Sequence, residues 1–356
     1  MKKHNFSAGP SILPQEVLEQ SAQAVLNFNN SGLSILEISH RSKDFVAVMD
    51  EARDLALELL DLKGKGYQAL FLQGGASLEF LMIPYNLMKE NGKAAYLDTG
   101  TWASGAIKQA KAFGETVVVA SSKEDNYSFI PKNYEIPSDA DYFHCTSNNT
   151  IFGTQLKSFP ATNVPVVCDM SSDIFSRVLD FSKFDIIYAG AQKNMGPAGT
   201  TLVIVKEEIL GKSGRNIPAM LDYKQHIDKE SMYNTPPVFA VYASLLTLKW
   251  LKGLGGVAAI EKINTEKATL LYNEIDRNPL FKGVAATEDR SFMNVTFVLN
   301  NEAHQETFDK MWKEAGISGL NGHRSVGGYR ASIYNALPLE SVQVLVDTMK
   351  KLEKNV

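Results

Sequence analysis

The sequence predicts an α/β protein: a large domain on a mostly parallel sheet with helices on both faces, followed by a smaller C-terminal α+β domain. Between Tyr67 and Val205, short apolar, β-favouring runs alternate with stretches of helical periodicity, the pattern that crossover helices between parallel strands produce. Within that region Val164 to Cys168 is apolar throughout, as a strand buried on both faces requires. Beyond Gly255-Gly256 the pattern changes to a long helix and then a second set of strands and helices. At 356 residues the chain exceeds what one core ordinarily holds, which places a boundary near Gly255 and divides 15–255 from 256–356.

In chain order, Pro14 to Asn29 and Lys43 to Leu60 carry apolar residues at helical spacing. In the second, Phe45, Met49, Ala52, Leu55 and Leu59 share one face, with acids and bases opposite. Strands follow at Ala69 to Gln73, Ala94 to Leu97, Thr116 to Ala120, Tyr142 to Cys145 and Val164 to Cys168. Ile186 to Ala189 and Thr201 to Val205 flank a turn too short for a helical crossover, so these two pair antiparallel. Phe239 to Leu254 reads as an apolar helix ended by Gly255-Gly256, and Val257 to about Asn278 as a longer one. The last pattern has strands near Asn294 to Leu299 and Arg330 to Ile333, with helices near Ala303 to Ala315 and Leu339 to Lys354.

Composition narrows the function classes. With 44% hydrophobic and 21% charged residues and no low-complexity tract, the chain reads as an ordinary globular protein. A net charge of −4 disfavours nucleic acid as a partner, and means that an anionic substrate must be captured by local cations. No apolar run approaches membrane-spanning length, and the N-terminal residues lack the apolar stretch of a secretory signal. Cys145 and Cys168 fall in predicted strands and read as reduced core thiols, which suits the cytoplasm and offers no metal pair.

The chemistry concentrates at strand ends. Lys193 lies in the turn between the antiparallel pair, among Gly190, Gly196, Pro197 and Gly199. A lysine so placed can condense with an aldehyde if its stem is held and its pKa lowered; a lysine in a surface turn is otherwise merely solvated. Asp169 closes the strand that starts at Val164, at the edge where open α/β sheets bind ligands, although an aspartate there also serves as a helix cap. An amine and a carboxylate at neighbouring strand ends are the two groups pyridoxal phosphate needs, one for its aldehyde and one for its ring nitrogen. Gly74-Gly75-Ala76-Ser77 joins a strand to a helix start, where free backbone amides make an anion site; neither a dinucleotide nor a Walker motif is present. Trp102 follows another strand and could stack on a flat heterocycle or simply pack. Arg41, Arg324 and Arg330, with His40 and His323 beside the first two, supply more anion-binding capacity than one carboxylate requires.

Taken together, these residues resemble the phosphoserine aminotransferase family, among the fold type I pyridoxal-phosphate enzymes. The resemblance runs through Asn5 to Pro10, Ser39 to Arg41, Ala189 to Asn194, Tyr233 to Pro237 and Gly322 to Asn335, in the family's order. It implies transamination of 3-phosphohydroxypyruvate with glutamate to O-phosphoserine and 2-oxoglutarate, and in some bacteria a related phosphohydroxythreonine reaction in pyridoxine biosynthesis. By matching motif, Lys193 holds the cofactor aldehyde and moves the substrate α-proton, while Asp169 pairs with the ring nitrogen. Trp102 stacks on the ring, and Thr150 bonds near its 3-oxygen. Ala76, Ser77 and Gln192 contact the cofactor phosphate. Asn234 and Thr235 reach that phosphate from a neighbouring subunit, so a homodimer is implied. Arg330 resembles the clamp for the substrate α-carboxylate. Arg41, His323 and Arg324 resemble the group that receives the phosphate or the glutamate side chain. The resemblance also implies that residues 1–14 pack near the smaller domain. Two positions depart from the pattern of some members: Ala8 replaces a serine and Ser77 an arginine, each removing one polar contact.

Two other classes stay open at this level. A fold type I enzyme with another amino donor would keep the lysine and aspartate; a desulfurase would need a reactive thiol on a mobile loop, which Cys145 and Cys168 do not offer. A non-catalytic binding protein would lose the lysine or the aspartate.

Overall fold

The computed structural model describes residues 3–356. Its larger sheet has seven strands: β1 (Tyr67–Leu72), β2 (Lys93–Asp98), β3 (Glu115–Ser121), β4 (Tyr142–Thr146), β5 (Val166–Asp169), β6 (Ile186–Gly190) and β7 (Thr201–Lys206). They lie in the order β1-β7-β6-β5-β4-β2-β3. The β2, β3, β4, β5 and β6 neighbours pair parallel, and β7 runs antiparallel to both β6 and β1. The short turn after β6 therefore produced the antiparallel hairpin its length required. Because β7 is reversed against both neighbours, β1 points the same way as β2 to β6. Six of the seven strands thus release their C-termini at one edge.

Both faces of this sheet are covered, as its near-continuous apolar strands demand. Alternate residues serve the two faces: Phe143, Cys145, Cys168, Ile187 and Ala189 enter one core, while Tyr142, Val167, Ile186 and Tyr188 enter the other. Helices α1 (Gln15–Leu26), α2 (Lys43–Leu59), α3 (Gly75–Leu87), α4 (Thr101–Ala110) and α5 (Tyr223–Asp228) pack around it. The predicted stripe on α2 is buried through Phe45, Met49, Ala52 and Leu55, and Ser42 caps the helix by accepting from the Phe45 amide at 3.3 Å. Its main partner is α6 (Val238–Gly253), whose residues are buried on most sides.

A second core surrounds a three-stranded antiparallel sheet, β8 (Phe281–Gly283), β9 (Asn294–Leu299) and β10 (Tyr329–Ser332). Helices α7 (Val257–Arg277), α8 (Gln305–Glu314) and α9 (Leu339–Asn355) cover it. The N-terminal segment joins this core: His4–Asn5 pairs parallel with Ile317–Ser318, and Phe6 and Ile12 are buried within the cluster. The helix expected from Ala303 starts later, because Asn301 caps a single 3-10 turn at Glu302–His304 first.

Candidate active site

Five loops leave the C-terminal edge of the larger sheet, and each carries a residue singled out by sequence. Gly74 to Ser77 follow β1, Trp102 follows β2, Thr150 follows β4, Asp169 ends β5 and Lys193 follows β6. The parallel arrangement alone gathers residues scattered over some hundred positions of chain.

Lys193 is half-buried, and its Nζ donates to Thr150 Oγ1 at 2.9 Å. The same Nζ lies 6.0 Å from the centre of the Trp102 ring, whose indole remains 40% exposed. Burial pushes the amine's pKa down to about 8; Arg330 lowers it further, while Asp169 and Asp173 oppose the shift. Asp169 is buried, which raises its carboxyl above the ordinary range against the pull of Lys193 and the Ser171 amide. That amide donates to Asp169 Oδ1 at 2.9 Å. The pair is thus an amine that loses its proton more readily than an ordinary lysine, beside a carboxyl that burial raises and its neighbours partly restore.

Arg330 rises from β10, and its Nη1 donates to the carbonyl of Thr150 at 3.5 Å. Its Nε is buried with no partner among the described residues. A desolvated guanidinium with an unspent donor is prepared for an oxyanion. His323 stands near it, its pKa depressed first by burial and then by Arg330 and Arg324, so two guanidinium groups flank an imidazole held toward its neutral form. His323 and Arg324 lie on a more open turn, where His323 Nδ1 and Ser325 Oγ are 2.7 Å apart. Arg41 is different. It is exposed on the turn before α2, and its backbone amide donates to Ser39 Oγ at 3.2 Å.

Gly74 to Ser77 join β1 to the start of α3, the strand-to-helix turn that the sequence suggested. Gly74 caps α3 with φ +96°, and a Cβ there would meet Leu78 Cδ2 at 2.4 Å, so only glycine permits this turn. The amides of Gly75, Ala76 and Ser77 open the helix without intrahelical partners. Gln192 is half-buried, its carbonyl accepting from the Ser11 amide at 2.9 Å. Asn234 Nδ2 donates to Gln73 Oε1 at 3.1 Å, and Gln73 Nε2 donates to the Thr235 carbonyl at 2.5 Å. Within one chain these two residues are held directly before the Gly74-Gly75 turn.

Several residues at the site escaped the sequence reading. Ser11 donates through its hydroxyl to the Lys193 carbonyl, tying the N-terminal segment to the lysine turn. Asp173 is buried in a network with Ser147, Gln155 and Arg177, the last at 3.0 Å. Asn294 and Tyr334 link the smaller sheet to the Thr150 hairpin. Tyr334 sits inside the Gly322 to Asn335 run noted above, and Asp173 lies four residues past Asp169; Ser11 and Asn294 had no local signal.

The architecture defines a class first: the chain belongs to the aminotransferase class-V family, whose model it matches over residues 3–345. Within that class its likeness is specific. The phosphoserine aminotransferase of Flavobacterium psychrophilum is 82% identical over 356 residues, covering 100% of both chains. A solved phosphoserine aminotransferase from Bacillus circulans subsp. alkalophilus is 45% identical with a TM-score of 0.96, over 99% of each chain. A pyridoxal-phosphate-bound phosphoserine aminotransferase from Trichomonas vaginalis is 37% identical with a TM-score of 0.93, covering 98% of this chain and 100% of that one.

Proposed function

We propose that this chain is a pyridoxal-phosphate enzyme that transfers an amino group between L-glutamate and 3-phosphohydroxypyruvate, giving 2-oxoglutarate and O-phospho-L-serine in serine biosynthesis. The residues fit the cofactor chemically: an amine of lowered pKa, a buried carboxylate, an indole face and a helix N-terminus with free amides. When bound, pyridoxal phosphate supplies an aldehyde and a ring that accepts the electron pair left at the substrate α-carbon.

The observation that carries the reaction class is the way Thr150 is held from two sides. Lys193 Nζ donates to its hydroxyl at 2.9 Å, and Arg330 reaches its carbonyl at 3.5 Å. An amino acid whose carboxylate sits on Arg330 then presents its α-carbon toward Nζ, which takes and returns the α-proton. Asp169 would keep a proton on the ring nitrogen, and Trp102 would offer its indole face to the ring. Ala76, Ser77 and Gln192 would hold the cofactor phosphate. His323 and Arg324, with Arg41, receive the side-chain oxyanion, planar in glutamate and tetrahedral in phosphoserine.

The working unit in this reading is a homodimer, with Asn234 and Thr235 facing the partner's cofactor phosphate. Residues 15–255 and 256–356 form the two domains, and residues 3–14 side with the second, residues 1 and 2 lying outside the described residues. A reducing, cytoplasmic setting suits Cys145 and Cys168, free thiols whose sulfurs lie 3.7 Å apart in the core.

The test is a panel of amino donors read by the visible spectrum of the first half-reaction. O-Phosphoserine and glutamate should shift the band rapidly, and alanine and cysteine slowly or not at all. 4-Phosphohydroxy-L-threonine in the same panel tests whether the site takes a longer phosphorylated donor. Preference for alanine over phosphoserine would overturn the substrate assignment while leaving the class intact.

A further inference from the structure

Asn294 stands between the two halves of this site. In the β9–β10 pairing it lies opposite Ser332, and Thr296 lies opposite Arg330. Strand alternation puts these four side chains on one face of the smaller sheet. Contacts to the Thr150 hairpin leave from that face. Asn148 Nδ2 donates to Asn294 Oδ1 at 2.8 Å, and Thr296 Oγ1 donates to the Phe152 carbonyl at 3.0 Å. Thr150 is therefore anchored two residues before and two residues after. Asn294 Nδ2 in turn donates to Ser332 Oγ at 2.9 Å and to the Tyr334 hydroxyl at 3.1 Å. Tyr334 donates onward to the Ala8 carbonyl at 2.7 Å.

This seam is built for a fixed separation. Asn148 and Asn294 are both buried, so each lost bond would strand a desolvated polar group. Gly153 has φ +76°, and a Cβ there would lie 2.4 Å from Thr296 Oγ1 and 3.0 Å from the Asn294 carbonyl. Only glycine lets the hairpin come this close.

We propose that Asn294 is a positioning residue for the reaction, fixing how far Arg330 stands from Thr150 and hence from the Lys193 amine. The inference rests on the reading of Arg330 as the α-carboxylate clamp. Asn294 itself touches no substrate. Its loss should act through Arg330 and affect every amino acid that uses the clamp.

The test compares Asn294→Ser, Arg330→Ala and the double variant as cofactor-loaded enzymes. The readouts are KM and kcat for glutamate and O-phosphoserine, the dissociation constant of the unreactive dicarboxylate glutarate by calorimetry, and the melting temperature. Asn294→Ser should raise both KM values and the glutarate constant together, by about tenfold, yet change them less than about twofold when Arg330 is already alanine. Equal effects in the two backgrounds would overturn the proposal, as would a lower melting temperature with unchanged KM and glutarate binding. If Arg330→Ala alone leaves both KM values unchanged, the clamp reading falls and this inference falls with it. Tyr334→Phe deletes one hydroxyl at nearly constant volume and keeps the test available if Asn294→Ser does not fold. It should shift the same quantities in the same direction, and unchanged values there would count against the proposal.

Discussion

At the scale of single residues, the site depends on an amine that can lose its proton. Lys193 is held near a pKa of about 8 by burial, and only the neutral amine attacks an aldehyde. Raising the pH through 8 should therefore speed loading of the cofactor-free chain and then level off, as stopped-flow absorbance would show. A loading rate flat from pH 6 to 10 would mean the amine is not so perturbed. Lys193→Ala should fold normally and lose turnover altogether. Asp169→Asn keeps the shape but removes the charge, and should lower kcat by at least about 100-fold while the melting temperature changes little. Near-normal kcat in that variant would remove Asp169 from its role at the ring nitrogen. Lys193 and Asp169 were legible in the sequence because each sits where a strand pattern ends. The Lys193–Thr150 bond was not, because it joins residues 43 positions apart through folding alone. Arg41, in a conspicuous His-Arg motif, lies exposed on a turn in the single chain.

At the scale of elements, loop geometry does the positioning. Gly74→Ala should force Leu78 aside and distort the opening of α3, weakening cofactor affinity more than it lowers stability. Equilibrium dialysis of the cofactor against the variant, set beside its urea midpoint, separates the two effects. The sheet was largely readable, because each strand is a short apolar run and the turn between β6 and β7 permits only an antiparallel return. Helix starts were less so. The helix placed from Ala303 begins at Gln305, since the Asn301 cap favours a 3-10 turn ahead of it. Strand order was beyond sequence reading as well. The placement of β1 beside β7, next to neither β2 nor β3, is fixed by tertiary packing.

At the scale of the whole molecule, two cores are joined by buried polar contacts. Asn335 Nδ2, for one, donates to the Phe175 carbonyl at 3.0 Å. Within the smaller core, Lys267 is fully buried on α7 and donates to the carbonyls of Ile333, Tyr334 and Leu337 at 2.7 to 3.1 Å. Lys267→Met would leave those three acceptors without their donor and should destabilise the fold by about 3 kcal/mol, measured by chemical denaturation. The proposed dimer makes a sharper prediction. Neither Lys193→Ala nor the double variant Asn234→Ala with Thr235→Ala should be active alone. If Asn234 and Thr235 serve the partner's site, mixing and refolding the two should restore about a quarter of wild-type activity, because half the dimers are mixed and each holds one intact site. No recovery on mixing would place both residues in the site of their own chain.

All these effects presuppose that the cofactor is carried by one particular lysine. Borohydride reduction of the coloured, cofactor-loaded protein, followed by peptide mapping, tests this most directly. The visible band should be lost, with the reduced cofactor fixed to the peptide containing Lys193 and none on that peptide if O-phosphoserine is added first. A label on another lysine, or a protein that stays colourless and unlabelled when supplied with pyridoxal phosphate, would contradict it.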